Sequence, residues 1–372
     1  MRACWSLLLL LIGTSVFAVE KVTLKRDDKT IEVTGRLETE AADGGVMLLA
    51  PDGVLWPITK EEIVTRTQID EPFKPLGRDQ LGKRLLEQLP RGFKLYSTQH
   101  YLIAYNTSQP YAQWVGSLYE RLYTGFYTYW SHRKWDLKKP DYPLVAIVFD
   151  TQANYAAYAR GEIGDATKSI IGYYSLRSNH VLQYDLTGTA GAGERNPVRI
   201  NQLLQQPAAE RTVATIVHEA THQLAFNSGM QTRFADIPFW VSEGLAVFFE
   251  SPDLDNSKGW KTIGAVNRYN LINFRKYLRT REPDALASLL TDDKRFRDPA
   301  TAPDAYAEAW ALNYFLLKTR ADDYTKYLKS LSELPPLVEA DPEERLAMFR
   351  KVFGEDTRAL EAEFLRYLRN VD

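Results

Sequence analysis

The chain contains the stretch His218-Glu219-Ala220-Thr221-His222, in which two histidines four residues apart flank a glutamate. On a helix, positions i and i+4 share one face, so both imidazoles can bind one metal ion. Glu219, beside the first histidine, can reach a metal-bound water and accept its proton. The chain has only five histidines, so chance rarely produces this spacing. The motif indicates a zinc hydrolase, and the alternative is a pair of ordinary surface histidines on a helix.

The residues around the motif predict an amphipathic helix. Pro207 and Glu210 are helix start signals, and Asn227 with Gly229 are stop signals. The apolar residues between Val213 and Leu224 recur at helical spacing. The two histidines supply two ligands, whereas a catalytic zinc normally has three protein ligands and one open position.

A glutamate in the next apolar segment is the candidate for the third ligand. Glu243 interrupts the nearly all-apolar run from Pro238 to Phe249, which Glu250 closes. A carboxylate buried in such a run is costly unless it is paired or bound to a metal. We predict that Glu243 binds the metal, and the alternative is a core helix whose glutamate pairs with an arginine.

The two segments together resemble a known class of zinc peptidases. His-Glu-x-x-His followed by Trp240-Val241-Ser242-Glu243-Gly244-Leu245-Ala246 resembles the gluzincins, whose third ligand is a glutamate on the next helix, and among these the aminopeptidase N-like enzymes. The resemblance implies one zinc ion per chain, with Glu243 at the ligand position. Glu250 lies two turns further along the same helix face, too far to bind the same ion, so we expect it to contact a ligand or form a salt bridge.

A downstream segment extends the resemblance. The run from Tyr306 to Leu316 is similar to the aminopeptidase helix that begins with a catalytic tyrosine, whose hydroxyl stabilises the oxyanion of the tetrahedral intermediate. The alternative is an aromatic stripe of Tyr306, Trp310 and Tyr314 that packs in the core. The Gly-x-Met-Glu-Asn segment that binds a free amino terminus in those enzymes is absent from the sequence, so exopeptidase specificity is not implied.

The wider pattern resembles a bacterial family of secreted gluzincin-like proteins of unknown function. It includes Gly172 to Ser175, Asn179 and Val181 to Asp185 ahead of the zinc motif, and the resemblance spans Phe93 to the C-terminus. Nothing in this pattern names a substrate.

The first eighteen residues are typical of a secretory signal peptide. Arg2 precedes the apolar run from Ser6 to Ile12, and Val16-Phe17-Ala18 is a small-residue cleavage site. We therefore expect export to the periplasm or the extracellular space after cleavage near Ala18. The only cysteine, Cys4, lies in this segment, which excludes disulfides and a cysteine nucleophile from the mature chain.

Composition and patterning predict an α+β protein with several parts. They are a signal peptide (1–18), a small all-β SH3-like module (19–68), a linker with one short helix (69–92), a zincin-like α/β lobe (93–205) and a mostly helical lobe with the zinc site (206–372). The module shows apolar and polar residues in alternation between Asp-Asp, Asp-Gly-Gly and Pro-Asp-Gly turns. The net charge is −2 and no basic run is present, which argues against a nucleic-acid partner.

These observations predict a secreted zinc metallopeptidase that acts on a peptide or protein substrate. Zinc would bind to His218, His222 and Glu243, while Glu219 acts as general base and Tyr306 stabilises the oxyanion. The alternative is a catalytically inactive gluzincin-like binding protein of the cell envelope. In either case the N-terminal β module is a candidate surface for a cell-envelope partner.

Overall fold

A computed structural model of the chain describes residues 19–187, 207–250 and 263–372, and of residues 207–212 it describes only the backbone. The predicted signal peptide (1–18) lies outside the described residues. The chain forms two compact units that divide after Pro75.

The first unit is a five-stranded antiparallel sheet. Its strands are β1 (Val19–Arg26), β2 (Lys29–Glu40), β3 (Val46–Leu49), β4 (Leu55–Ile58) and β5 (Ile63–Ile69). Their order in the sheet is β4-β3-β2-β1-β5, and a short 3-10 turn precedes β5. The inward-facing residues of the alternating pattern, among them Val22, Leu24 and Leu48, form a separate small core. The order of the strands and the turn before the last one agree with the predicted SH3-like module.

The second unit begins with a mixed sheet. Its strands are β6 (Lys94–Ser97), β7 (Tyr101–Tyr105), β8 (Leu144–Phe149), β9 (Gly172–Tyr174) and β10 (His180–Tyr184), in the order β6-β7-β8-β10-β9. The three inner strands are parallel, and the two edge strands are antiparallel to their neighbours. Helices cover both faces of the sheet, so β7 and β8 are buried along their whole length. This explains why their sequences are continuous apolar runs without alternating polar residues.

Three helices accompany this sheet, namely α1 (Arg78–Gln88), α2 (Gln109–Ser131) and α3 (Gln152–Ile163). The first of them lies in the segment predicted as a linker. Leu81 and Leu85 of α1 pack in one cluster with Leu102 of β7, so the helix is part of the second unit.

Nine helices follow among the described residues up to the C-terminus. They are α4 (Pro207–Asn227), α5 (Phe239–Phe249), α6 (Arg268–Tyr277), α7 (Ala285–Thr291), α8 (Lys294–Arg297), α9 (Ala302–Thr319), α10 (Ala321–Ser332), α11 (Pro342–Phe353) and α12 (Thr357–Arg369). Within residues 19–187, 207–250 and 263–372, no helix has the length and apolar character that a membrane span requires.

One hydrophobic core joins the sheet to the C-terminal helices. It extends from Tyr101 of β7 through Trp240 of α5 to Phe364 of α12. The α/β lobe and the helical lobe predicted from the sequence therefore share a core within one compact unit. The class is α+β: an all-β module, a mixed sheet with helices, and a helical C-terminal region.

Candidate metal centre

Helices α4 and α5 bring His218, His222 and Glu243 together, in a group of side chains that could hold a metal ion. The two Nε2 atoms of His218 and His222 lie 3.1 Å apart. One carboxylate oxygen of Glu243 lies 3.1 Å from Nε2 of His218, and the other lies 3.5 Å from Nε2 of His222. Two residues from one helix and one from the next thus present three ligand atoms to a common point.

The spacing of these atoms fits a zinc ion. Zinc binds imidazole nitrogen and carboxylate oxygen at about 2.0–2.2 Å, so two ligand atoms of a tetrahedral site lie roughly 3.3 Å from each other. The two Nε2 atoms lie 3.1 Å apart, and one ligand atom from each of the three residues can be chosen so that all lie within 4.8 Å of one another, which is compatible with binding to one ion. Among the described residues the group contains three ligand residues, which is the number that a catalytic zinc takes from the protein.

The tautomer of His218 is set by Glu250, which lies at the C-terminal end of α5. A carboxylate oxygen of Glu250 lies 3.1 Å from Nδ1 of His218. Because a carboxylate only accepts hydrogen bonds, Nδ1 carries a proton, so Nε2 is the ring atom that would bind a metal ion. The other oxygen of Glu250 accepts from Nδ2 of Asn267 at 2.8 Å. Glu250 therefore orients a ligand, as its distance from Glu243 along the helix predicts.

The tautomer of His222 is set through a serine. The Ser242 hydroxyl lies 3.3 Å from Nδ1 of His222 and 3.3 Å from the side-chain oxygen of Gln231. Since the amide oxygen can only accept, Ser242 donates to Gln231 and accepts from the Nδ1 proton of His222. Nε2 of His222 is then the ring atom that would bind a metal ion.

Burial and hydrogen bonding shift the pKa values of the ligands. Burial lowers the pKa of His218, but hydrogen bonds to Glu243 and Glu250 and the charges of nearby carboxylates outweigh it, so this pKa lies well above its usual value. Burial raises the pKa of Glu243, yet the charge of His222 and the hydrogen bonds from both imidazoles bring it well below the usual range. A metal ion would take the place of the proton that these groups share.

Glu219 is near the ligands without belonging to the ligand group. One of its carboxylate oxygens accepts the backbone N–H of Tyr174, in the edge strand β9, at 2.8 Å. Burial raises the pKa of Glu219 and the charge of Glu243 adds to this effect, although both imidazoles and the Tyr174 N–H act against it. A carboxylate with a raised pKa beside the metal position is suited to accept a proton and return it.

The alternation of hydrogen bonds in β9 explains why the Tyr174 N–H points to this site. The N–H of Ser175 donates to the carbonyl of His180 at 2.9 Å, and the register pairs Tyr174 with Val181. In an antiparallel pair the neighbouring residue directs its N–H and C=O away from the partner strand. Gly172, two residues earlier, has the same orientation as Tyr174. The outer edge of β9, which pairs with no other strand among the described residues, therefore runs past Glu219.

Tyr306, on α9, also lies at the ligand group. The charge of Glu243 raises the pKa of the Tyr306 hydroxyl, with further contributions from burial, the charge of Glu219 and a hydrogen bond to Glu243. The three aromatic residues of the stripe, Tyr306, Trp310 and Tyr314, therefore do not share one role. Trp310 and Tyr314 pack in the core, whereas Tyr306 is close enough to the third ligand for the charge of Glu243 to dominate the pKa of its hydroxyl.

Several contributors have no distinct signal in the sequence. Ser242, Gln231 and Asn267 act on the histidines through contacts between separate elements, and the Tyr174 group is a backbone N–H. His180, in β10, is 7% exposed, and burial lowers its pKa to about 4. Its alternation in β10 places it opposite to Val181, which packs with α4, so His180 does not join this group.

A protein-family model described as a protein of unknown function (DUF1570) matches residues 212–338. The matched region contains the three ligand candidates, Glu219 and Tyr306. No curated protein matches the sequence.

Proposed function

We propose that this chain is a zinc-dependent hydrolase of the gluzincin type that cleaves peptide bonds. The observation that carries the proposal is the convergence of one ligand atom each from His218, His222 and Glu243, all within 4.8 Å of one another, on two adjacent helices. A general base, an oxyanion donor and the outer edge of β9 next to this group support it. A zinc ion at this position supplies a Lewis acid that brings the pKa of a bound water to about 7.

In this proposal, separate residues of the chain bind the ion and transfer the proton. His218 and His222 hold the ion through Nε2, in the tautomers that Glu250 and Ser242 fix. Glu219 accepts the proton of the attacking water and returns it to the leaving amine, because it lies beside the ligands and its pKa is raised. It leaves its hydrogen bond with the Tyr174 N–H when it does so.

The remaining groups act on the substrate. The Tyr306 hydroxyl donates to the oxygen that becomes negative when water adds to the peptide carbonyl. An extended peptide pairs with the outward-facing backbone groups of Gly172 and Tyr174 in β9. In this mode of binding the hydrogen bonds are made to the backbone of the substrate and not to one particular side chain. The proposed substrates are therefore peptides or unfolded protein segments. Export is part of the proposal and is based on residues 1–18.

The experiment combines metal analysis with cleavage. The purified chain is analysed for bound metal and incubated with a peptide library, with and without a chelator. We expect one zinc per chain and cleavage that stops on chelation and returns on addition of zinc. Glu219→Gln should retain zinc and lose about 10²- to 10⁴-fold in rate, because only the general base is removed.

The matched control is Glu87→Gln, the same change on an exposed position of α1, which should cleave as the unmodified chain does. Undiminished cleavage by Glu219→Gln would remove this residue from the mechanism. A chain that binds zinc and cleaves no peptide in the library would favour the inactive binding protein.

A further inference from the structure

Helices α5 and α9 approach each other closely at Gly244. A Cβ atom at this position would lie 2.0 Å from Nδ2 of Asn313 and 2.6 Å from the carbonyl oxygen of Ala309. Both distances are far below van der Waals contact, so any other residue at position 244 would push the helices apart. The glycine that follows the third ligand is therefore required by the packing of α9 against α5.

Asn313 joins the two helices at this contact. Its Nδ2 donates to the carbonyl oxygens of Trp240 in α5 and Ala309 in α9, both at 2.8 Å. Its side-chain oxygen accepts from the Tyr324 hydroxyl of α10. The side chain is fully buried and both of its amide protons are used, so its orientation is fixed.

The turns that Asn313 connects also carry two of the functional groups. Trp240 precedes Glu243 by three residues, and Ala309 follows Tyr306 by three residues. Tyr306 and Asn313 are seven residues apart, which is about two turns, so they lie on the same face of α9. That face is directed at α5, since Asn313 donates to the Trp240 carbonyl of α5 and Gly244 of α5 lies against Asn313 and Ala309.

We propose that Asn313 is a positioning residue for Tyr306: the bond to α5 fixes the distance between the helices and thereby holds the Tyr306 hydroxyl where it reaches the oxyanion. This inference rests on the proposed function, because it assigns Tyr306 the role of oxyanion donor. Gly244 has the complementary role, since it leaves the space that the Asn313 amide occupies.

Asn313→Ser separates the bond within α9 from the bonds to other helices. A helical serine bonds to the carbonyl four residues earlier, which here is that of Ala309, so the variant keeps the bond within α9 and loses the bonds to Trp240 of α5 and Tyr324 of α10. Asn313→Ala removes all three bonds and serves as the second variant. The control is Glu308→Gln, a buried change in α9 that weakens ion pairs with Arg281 and Arg295.

The test is a double-mutant cycle with Tyr306→Phe, carried out on the purified zinc-loaded chain. It has two readouts: kcat for a peptide selected from the library, and the Kd of butylphosphonate, whose charged oxygens resemble the oxyanion, by calorimetric titration. We expect Asn313→Ser to lower kcat and to weaken phosphonate binding by about tenfold each, since a shift of about 1 Å in an active site can cost up to a hundredfold. In the Tyr306→Phe background the same change should have an effect below about twofold.

Asn313→Ala should show the same dependence on Tyr306, whereas Glu308→Gln should lower the melting temperature and leave the Kd unchanged. If Asn313→Ser has the same effect in both backgrounds, or none in either, Asn313 does not act through Tyr306. If the zinc-loaded chain does not bind butylphosphonate, the inference is also overturned, because the site then does not bind the anionic oxygen to which Tyr306 would donate. If the chain binds the phosphonate and cleaves no peptide, the proposed hydrolase activity is contradicted, but the inference about Asn313 is not. The coupling between Asn313 and Tyr306 is then calculated from the Kd values of the four chains in the double-mutant cycle.

Discussion

Two groups of buried or half-buried acidic side chains lie in the helical part of the second unit, and they are neutralised differently. The first consists of Asp236 and Asp293, which both bond to the guanidinium of Arg345. The backbone N–H of Phe239, the first residue of α5, also donates to Asp293 at 3.0 Å. Each carboxylate of this Arg345 cluster therefore has a permanently charged partner.

The second group is the metal centre, where Glu219, Glu243 and Glu250 surround two imidazoles. Among the described side chains, no lysine or arginine forms an ion pair with any of these three carboxylates. Imidazoles are cationic only when protonated, and a proton on Nε2 would block the ligand atom. The metal centre thus has an excess of negative charge that a divalent cation would neutralise.

The comparison shows which feature distinguishes a metal site from a structural ion-pair cluster in the same region. Burial alone does not, because Asp293 is 8% exposed and belongs to the structural cluster. The distinguishing feature is the absence of a guanidinium partner together with ligand atoms that lie close enough to one another to bind one ion. Four predictions test whether the two clusters differ in this way.

The largest effect is expected from Glu243→Ala. In the unmodified chain, zinc at a thousandfold excess over its Kd should raise the free energy of unfolding by about 4 kcal/mol. Without the carboxylate that offsets the charge of the ion, this increase should be absent at the same zinc concentration. Urea unfolding with and without zinc, together with metal analysis, measures it. Glu308→Gln should retain the full increase, and zinc binding by Glu243→Ala at unchanged affinity would refute the third ligand.

The Arg345 cluster should respond in the opposite manner. Arg345→Met leaves the buried Asp293 and the half-buried Asp236 without a charged partner, so we expect the free energy of unfolding to fall by about 3–5 kcal/mol. The zinc-dependent increase should persist. Arg320→Met, which breaks a more exposed pair with Glu363, should cost less than about 1 kcal/mol. If urea unfolding shows equal losses of unfolding free energy for the two arginine variants, the Arg345 cluster contributes no more to stability than an exposed ion pair.

Tyr306→Phe tests the hydroxyl at the metal centre and keeps the ring in place. Loss of one oxyanion donor should reduce kcat by about a hundredfold, with KM and the melting temperature little changed. Tyr314→Phe, on the same helix but in the core, should leave kcat unchanged. Steady-state kinetics measures kcat and KM for both variants. If Tyr306→Phe has the kcat of the unmodified chain, a group other than Tyr306 stabilises the oxyanion.

The smallest effect is expected from Glu250→Gln. One end of the glutamine amide would place an N–H₂ donor against either the Nδ1 proton of His218 or the amide donor of Asn267. We expect zinc affinity to fall by about 10- to 100-fold, as for other residues that orient a metal ligand. Competition with a chromogenic zinc chelator gives the Kd. Glu333→Gln, at the exposed C-terminal end of α10, is the control and should not change it.

The sequence by itself determined the features that depend on local periodicity. The i, i+4 spacing of His218 and His222 fixes a common helix face wherever the helix lies. The alternation of β1 and β2 and the apolar run of β8 likewise follow from residues near each other in the chain, and the structure has strands there. Glu243 needed one further argument, the cost of a buried carboxylate, together with the resemblance to gluzincins.

The tertiary structure alone decided which groups meet across separate elements. The bonds of Glu250 to His218, of Ser242 to Gln231 and of Asn313 to Trp240 join residues 11 to 73 positions apart. Such contacts depend on how helices pack, and many sequences with the same periodicity could pack otherwise. For the same reason the helix predicted within a linker became part of the sheet's core: the spacing of Leu81 and Leu85 shows an apolar face, and only the fold shows that the sheet covers it.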